Sequence, residues 1–233
     1  AVRAKLIAKY SPSTINTMSS CWRAILRRLA PPFTGNPAGL GIIEQVPYFK
    51  PVKQRHKLPY RLSLEDLSRF YIACRHAMRP RFGGSPGDWW RAALVLLYTT
   101  GLRRGDMVSL EWSQVDLENL TLTFTASKTW KESILPLHPV AAHHLKRLYT
   151  PGRASVFRGA QGSGSGSLYR LLHGLQEIAG VERFGFHDIR RTAASEIERV
   201  RPGMAKHLLQ HAPRSVTDAS YLNLFPELRE AVD

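Results

Sequence analysis

The segment Asp88-Trp-Trp-Arg-Ala-Ala-Leu-Val-Leu-Leu-Tyr-Thr-Thr-Gly-Leu-Arg-Arg-Gly-Asp106 decides how this chain is read. Asp88 to Thr99 predicts a strongly apolar helix, which Thr-Thr-Gly101 ends, and Leu102 to Leu110 resumes a helical pattern. Upstream, Ser63-Leu-Glu-Asp66 predicts a helix start, with Ser63 as N-cap and Asp66 at its third position. Downstream, Leu120-Thr-Leu-Thr-Phe-Thr alternates with period two, and Ser133-Ile-Leu-Pro-Leu is a short apolar run beyond a basic turn. A small β-hairpin with Lys128 near its tip is expected there. The chain therefore reads as mainly α with a small antiparallel β-hairpin or sheet.

Nearer the N-terminus, Ser11-Pro-Ser-Thr opens a second amphipathic pattern, with Ile15, Met18, Trp22, Ile25, Leu26 and Leu29 at helical spacing. Arg23, Arg27 and Arg28 lie toward the other face, where they are either solvated surface or a grip on phosphate. Six prolines between Pro31 and Pro59, together with the basic stretch Lys50, Lys53, Arg55 and Lys57, read as loop and linker. The expected division is a helical segment over 1–49, a linker over 50–61 and a second domain over 62–233. Gly162-Ser-Gly-Ser-Gly-Ser167 has the composition of a flexible connection.

Composition narrows the partner. In 233 residues, 33 Lys and Arg stand against 18 Asp and Glu, a net charge of +15, and 43% of residues are apolar. That supports a folded core and a polyanionic partner, either nucleic acid or an anionic membrane surface. The longest apolar run, Ala92 to Tyr98, falls far short of the ~18 residues that span a bilayer, so an integral membrane protein is not expected. The two cysteines, Cys21 and Cys74, read as thiols of a reducing cytosol. His138, His143 and His144 lack a nearby Cys or carboxylate cluster, so no metal site is expected.

Three short patterns occur in order: Thr100-Gly-Leu-Arg103-Arg-Gly-Asp106, His187-Asp-Ile-Arg190-Arg-Thr, and Leu208-Leu-Gln-His211 followed by Tyr221. With the Lys128 hairpin between the first two, the chain resembles the tyrosine recombinase (phage integrase) family of enzymes that cut and rejoin DNA. Residues 61–233 resemble its catalytic domain, and residues 1–49 resemble part of the helical core-binding domain that clamps DNA. The resemblance implies a site-specific recombinase or integrase, working by transesterification through a 3′-phosphotyrosyl intermediate without metal or nucleotide cofactor. A type IB topoisomerase-like enzyme and an inactive DNA-binding relative are the alternatives.

The resemblance also assigns roles. Tyr221 is the expected nucleophile, Lys128 the donor of a proton to the 5′ leaving oxygen, and His211 a hydrogen-bond donor to the phosphate. Arg103 and Arg190 are expected to aim guanidinium forks at the non-bridging oxygens, which suits a phosphorane better than an ammonium does. His187 precedes Arg190 by one helical turn and is expected to assist proton transfer. Arg191 leaves an ambiguity, because a one-residue shift turns a side chain about 100° around a helix. Asp106 stands where the family usually has Glu and is expected to support the site. Double-stranded DNA is the expected partner, bound by a homo-tetramer; residues 222–233 either dock onto a neighbouring protomer or fold back onto their own domain. DNA-bending or directionality proteins are possible accessories in a cytoplasmic, DNA-associated setting.

Overall fold

A computed structural model describes residues 2–32, 39–54, 62–81, 83–125, 132–159, 165–209 and 225–232. It divides into two compact units, Ala1–Leu58 and Pro59–Asp233. Among the described residues no helix is long and apolar enough to cross a membrane.

The first unit contains helix α1 (Val2–Lys9) and helix α2 (Pro12–Leu29). Ser11 caps α2 as its sequence predicts, its hydroxyl accepting from the Thr14 N–H at 3.2 Å, with Pro12 in the first turn. Asn16 holds Val52 through two hydrogen bonds of 2.9 and 2.8 Å, and Arg23 donates to the Phe49 carbonyl at 3.1 Å. Two expectations change here. The start of the 50–61 stretch is tied to α2 instead of being free chain, and Arg23 is partly spent inside its own unit. The apolar stripe of α2 is also only partly covered: Ile15 is buried, but Trp22 is 56% and Ile25 is 52% exposed. Arg27, Arg28, Lys50 and Lys53 are exposed, and Arg55 and Lys57 lie outside the described residues.

The second unit is built around one apolar helix. After helix α3 (Leu64–Ala73), capped by Ser63, comes helix α4 (Pro86–Thr100), capped by Ser85. Trp89, Trp90, Ala92, Ala93, Leu96 and Leu97 of α4 are all buried, on more than one side of the helix. A helix apolar around most of its circumference must be covered from several directions. The cover comes from helix α6 (Pro139–Lys146) and helix α8 (Phe186–Val200), with α3 beside it. Edge-to-face aromatic pairs fill the gaps, including Trp89 with Phe157 at 5.3 Å and Phe70 with Phe184 at 5.4 Å. Cys74 belongs to this core, where burial pushes its thiol up to about 12.

Between helix α5 (Arg104–Val108) and α6 lies an antiparallel sheet of strands β1 (Val115–Asp116), β2 (Thr121–Thr125) and β3 (Glu132–Pro136), in the order β1-β2-β3. The expected hairpin is β2–β3, with Leu122 opposite Leu135 and Phe124 opposite Ser133. Leu122 and Phe124 point into the core, as period two requires. β1 escapes sequence reading because two residues carry no period. Lys128 falls outside the described residues.

Helix α7 (Ser165–Ala179) corrects the reading of 162–167 as flexible throughout, since it begins inside the Gly/Ser run. Buried Leu168, Leu172 and Leu175, spaced by helical turns, supply the tertiary packing that carries a helix into poor helix formers. The last helix, α10 (Phe225–Val232), follows the short helix α9 (Ala205–Leu208). The described part of 222–233, α10, packs in this single chain on its own domain, against β3 and α8. Leu228 enters the core, Arg229 donates to the Asn119 and Leu120 carbonyls at 2.8 and 2.9 Å, and Glu230 pairs with Arg201 at 2.6 Å. This apolar anchor with polar contacts around it is satisfied within one chain.

The unit is closed at its start by one buried hydrogen bond, from the Leu62 N–H to the Thr192 hydroxyl of α8 at 3.1 Å. Thr192→Val keeps the shape and leaves that N–H unpaired. Urea denaturation is expected to show a loss of about 1–3 kcal/mol for this variant. An unchanged midpoint would show that the contact does not hold the domain's entry.

Candidate active site

The candidate site forms where α4 ends. Gly101 closes the helix in the left-handed region at φ 60°, its N–H bonded to the Leu97 carbonyl at 3.0 Å. A Cβ at this position would also lie 3.2 Å from Leu209 Cδ2. Thr100 is buried and its hydroxyl donates to the Leu96 carbonyl at 2.5 Å. These constraints turn the chain so that Arg103 stands immediately before α5 in extended conformation. One turn later Asp106 is 5% exposed, and its Oδ2 lies 3.7 Å from Arg103 Nη1. Arg103 Nη1 is buried and has no hydrogen-bond acceptor among the described residues.

Helix α8 supplies the second cation. Its buried positions Phe186, Ile189, Ala193 and Ile197 face the core, and Arg190 is among them at 4% exposure. Arg190 donates through Nη1 to the Gly101 carbonyl and through Nη2 to the Leu209 carbonyl at 2.7 Å. Burial pushes Arg190 down to about 10, with repulsion from Arg103 adding to the fall and Asp106 opposing it. It therefore remains a cation at neutral pH. Two guanidinium groups converge on one carboxylate, and one of them is largely withdrawn from water.

Arg191 has a different environment. It is exposed on the next position of α8 and pairs with Asp188 at 3.1 Å, so Arg190 is the arginine turned toward Arg103. His187 is exposed in the first turn of α8, one turn before Arg190. That turn is set by Asp188, whose Oδ2 accepts from the Gly185 N–H at 2.8 Å. His211 and Tyr221 lie outside the described residues, as does Lys128. The structure thus brings Arg103, Asp106 and Arg190 together.

Two of the three histidines weighed as metal ligands have other partners. His138 caps α6 by accepting from the Val140 N–H at 3.1 Å, and His144 is buried with Nε2 3.2 Å from the Tyr71 hydroxyl. Among the described residues no group of three His, Cys, Asp or Glu side chains could hold a metal ion. Sequence reasoning missed the Gly101 and Leu209 carbonyls that hold Arg190. A main-chain acceptor leaves no side-chain signal, and only the Thr-Thr-Gly stop hinted that the chain turns there.

Two neighbouring guanidinium groups, one of them with a buried N–H donor that has no acceptor among the described residues, and a carboxylate beside them suit a small oxyanion whose charge grows during reaction. Asp106 moderates the mutual repulsion of the two cations without cancelling both.

The phage integrase family model matches residues 61–227. The tyrosine recombinase XerD of Neisseria meningitidis serogroup B is 25% identical over 183 residues, covering 72% of this chain and 60% of its own length. The uncharacterized protein y4gA of Sinorhizobium fredii is 31% identical over 115 residues, covering 44% of this chain and 60% of its own. Among solved structures, a lambda integrase dimer bound to a COC′ core site aligns with a TM-score of 0.62 at 20% identity, covering 90% of this chain and 76% of that one. A lambda integrase tetramer bound to a Holliday junction aligns with a TM-score of 0.64 at 20% identity, covering 91% of this chain and 62% of that one. At these identities the structural likeness establishes the shared fold. The chain spans 60% of the length of each of these two curated relatives.

Asp106→Asn leaves Arg103 and Arg190 facing each other with no counter-charge. It is expected to cost about 3 kcal/mol in denaturant unfolding, the scale for breaking a buried ion pair. Adding Arg103→Gln in that background should recover part of the loss, since the repulsion goes with it. Strictly additive losses would show that Asp106 does not balance Arg103.

Proposed function

The chain belongs to the phage integrase family, and from that premise we propose that it is a site-specific recombinase that cuts and rejoins DNA strands through a 3′-phosphotyrosyl intermediate. The observation that carries this reading is Arg190, a buried cation beside Arg103, with Asp106 as their shared counter-charge. In this reading the Tyr221 phenolic oxygen attacks the scissile phosphorus. The Tyr–O–P bond forms, the bond from phosphorus to the 5′ oxygen breaks, and the phenolic proton leaves on the His187 side. Lys128 protonates the departing 5′ oxygen, leaving a free 5′-hydroxyl. Arg103 and Arg190 hold the non-bridging oxygens as the phosphorane gains negative charge, and His211 donates a further hydrogen bond. Rejoining is the same sequence reversed with a 5′-hydroxyl as nucleophile. The phosphotyrosyl ester conserves the bond energy, so no nucleotide has to be consumed.

In this proposal Arg27, Arg28, Lys50 and Lys53 of the first unit, with Arg55 and Lys57, grip the phosphate backbone and position the duplex without reading its sequence. Recombination exchanges strands between two duplexes, so protomers act together on DNA. The α10 helix would have to leave its own domain to serve a neighbour, and other surfaces can make the assembly while it stays.

A nicked suicide substrate tests the chemistry. Tyr221→Phe is expected to abolish the covalent protein–DNA adduct while leaving DNA affinity near wild type, and an adduct in that variant would remove Tyr221 from its role. Wild-type protein that binds DNA but never forms an adduct would assign the chain to an inactive DNA-binding relative.

Single-turnover cleavage tests the cations separately. Arg103→Ala is expected to slow cleavage on the order of 10²–10³-fold, the scale for losing one preorganised donor to a developing oxyanion. Cleavage at the wild-type rate would take Arg103 out of the transition state.

A further inference from the structure

One of the two carbonyls that hold Arg190 belongs to a segment with little strength of its own. Helix α9 is four residues long, and its N-cap, Met204, makes no side-chain hydrogen bond to the N–H groups of the first turn. A helix this short does not hold itself, because nucleation fixes several residues for few hydrogen bonds. The missing cap comes from α8. Glu198 accepts from the Gly203 N–H through Oε1 at 2.8 Å and from the Ala205 N–H through Oε2 at 3.2 Å, and Gly203 makes the intervening turn at φ 89°. These donors hold the Glu198 carboxyl below the usual carboxylate range, so it is ionised at neutral pH. About two turns before Glu198 on the same helix, Arg190 donates to the Leu209 carbonyl at 2.7 Å, while the Leu209 N–H is bonded to the Ala205 carbonyl at 2.9 Å. α9 is therefore fastened to α8 at both ends, by Glu198 at its start and by Arg190 at its close, with Leu208 buried between.

We infer that Glu198 is a positioning residue for Arg190: by capping α9 it fixes where the Leu209 carbonyl stands, and that carbonyl sets the direction of the Arg190 fork. The consequence for cleavage rests on the recombinase reading; the clamp itself rests on the geometry of α8 and α9. Glu198 is exposed and bonds to neither guanidinium of the candidate site, so its influence on Arg190 passes through α9. Both carboxylate oxygens are in use, one on each N–H. An amide in the same place keeps one acceptor and turns an NH2 group toward the other N–H, which makes the ionised carboxylate the matching group. A cap that only added stability would leave Arg190 where it is once the protein is folded. A cap that positions moves it.

The first measurement needs no DNA. In the NMR spectrum of the arginine guanidinium groups, Arg190 is the signal missing from Arg190→Lys. Glu198→Ala is expected to shift that signal and to speed exchange of its N–H protons, and Glu198→Gln to do so to a smaller extent; the Gln variant decides the matter should the Ala variant not fold. Glu177→Ala, which removes an exposed acid paired with Arg183 at 2.7 Å, makes the same change of charge and is expected to leave the signal in place. An Arg190 signal that stays put in the folded Glu198 variants would overturn the proposal. In single-turnover cleavage at saturating DNA, well below the thermal midpoints, Glu198→Ala is expected to slow adduct formation about tenfold, with the same Kd for DNA as Glu177→Ala. In an Arg190→Lys background it is expected to add no further slowing, because the effect passes through Arg190. A wild-type rate, or an equal loss in that background, would also overturn the proposal. Failure of the recombinase reading would appear separately, as wild-type protein that forms no Tyr221 adduct while the Arg190 signal still moves in Glu198→Ala.

Discussion

Holding Arg190 as a cation inside the protein is the constraint on which the rest of the second unit depends. Taking a guanidinium from water costs several kcal/mol unless its donors find acceptors and its charge finds a counter-charge. The Gly101 and Leu209 carbonyls provide the first and Asp106 contributes to the second. Gly101 and Asp106 belong to one stretch of chain and Leu209 to another. The arginine therefore acts as a tie between the turn after α4, the end of α9 and helix α8.

That tie explains features that would otherwise look unrelated. Gly101 must be left-handed and free of a Cβ so that its carbonyl can turn toward α8 while Leu209 packs against it. α4 must be apolar on several faces because α6 and α8 both lie on it, and α8 has to be close for Arg190 to reach the helix end. Asp106 is buried one turn after Arg103, where its carboxylate moderates the charge of Arg103 and acts on Arg190 as well. At its other end, the same helix anchors the indoles of Trp89 and Trp90 and organises the loops that carry Arg79 and Arg158. One core helix thus fixes the course of the chain at both of its ends.

Much of this was legible in the residues. The Ser11, Ser63 and Gly101 boundaries follow from local chemistry, because a cap or a left-handed stop is decided within one turn of chain. The β2–β3 pairing follows from period two. The harder parts are those where tertiary packing overrules local preference. α7 begins in a Gly/Ser run because its leucines are buried. α10 lies on its own domain because Leu228 and Arg229 find partners there. The stripe of α2 keeps Trp22 and Ile25 exposed, because periodicity shows which residues share a face and says nothing about what covers it.

The sequence by itself determined the mainly helical class with its small hairpin, the basic character, and the order of Arg103, Asp106, His187 and Arg190 along the chain. Their types and spacings carry that information directly. Only the tertiary structure decided that Arg190 and not Arg191 turns inward, that main-chain carbonyls hold it, and that Asp106 lies beside Arg103 within electrostatic reach of Arg190. Those outcomes depend on contacts between residues far apart in the chain, 89 positions in the case of Arg190 and Gly101. No local pattern encodes such a contact, since it is set by the packing of whole helices.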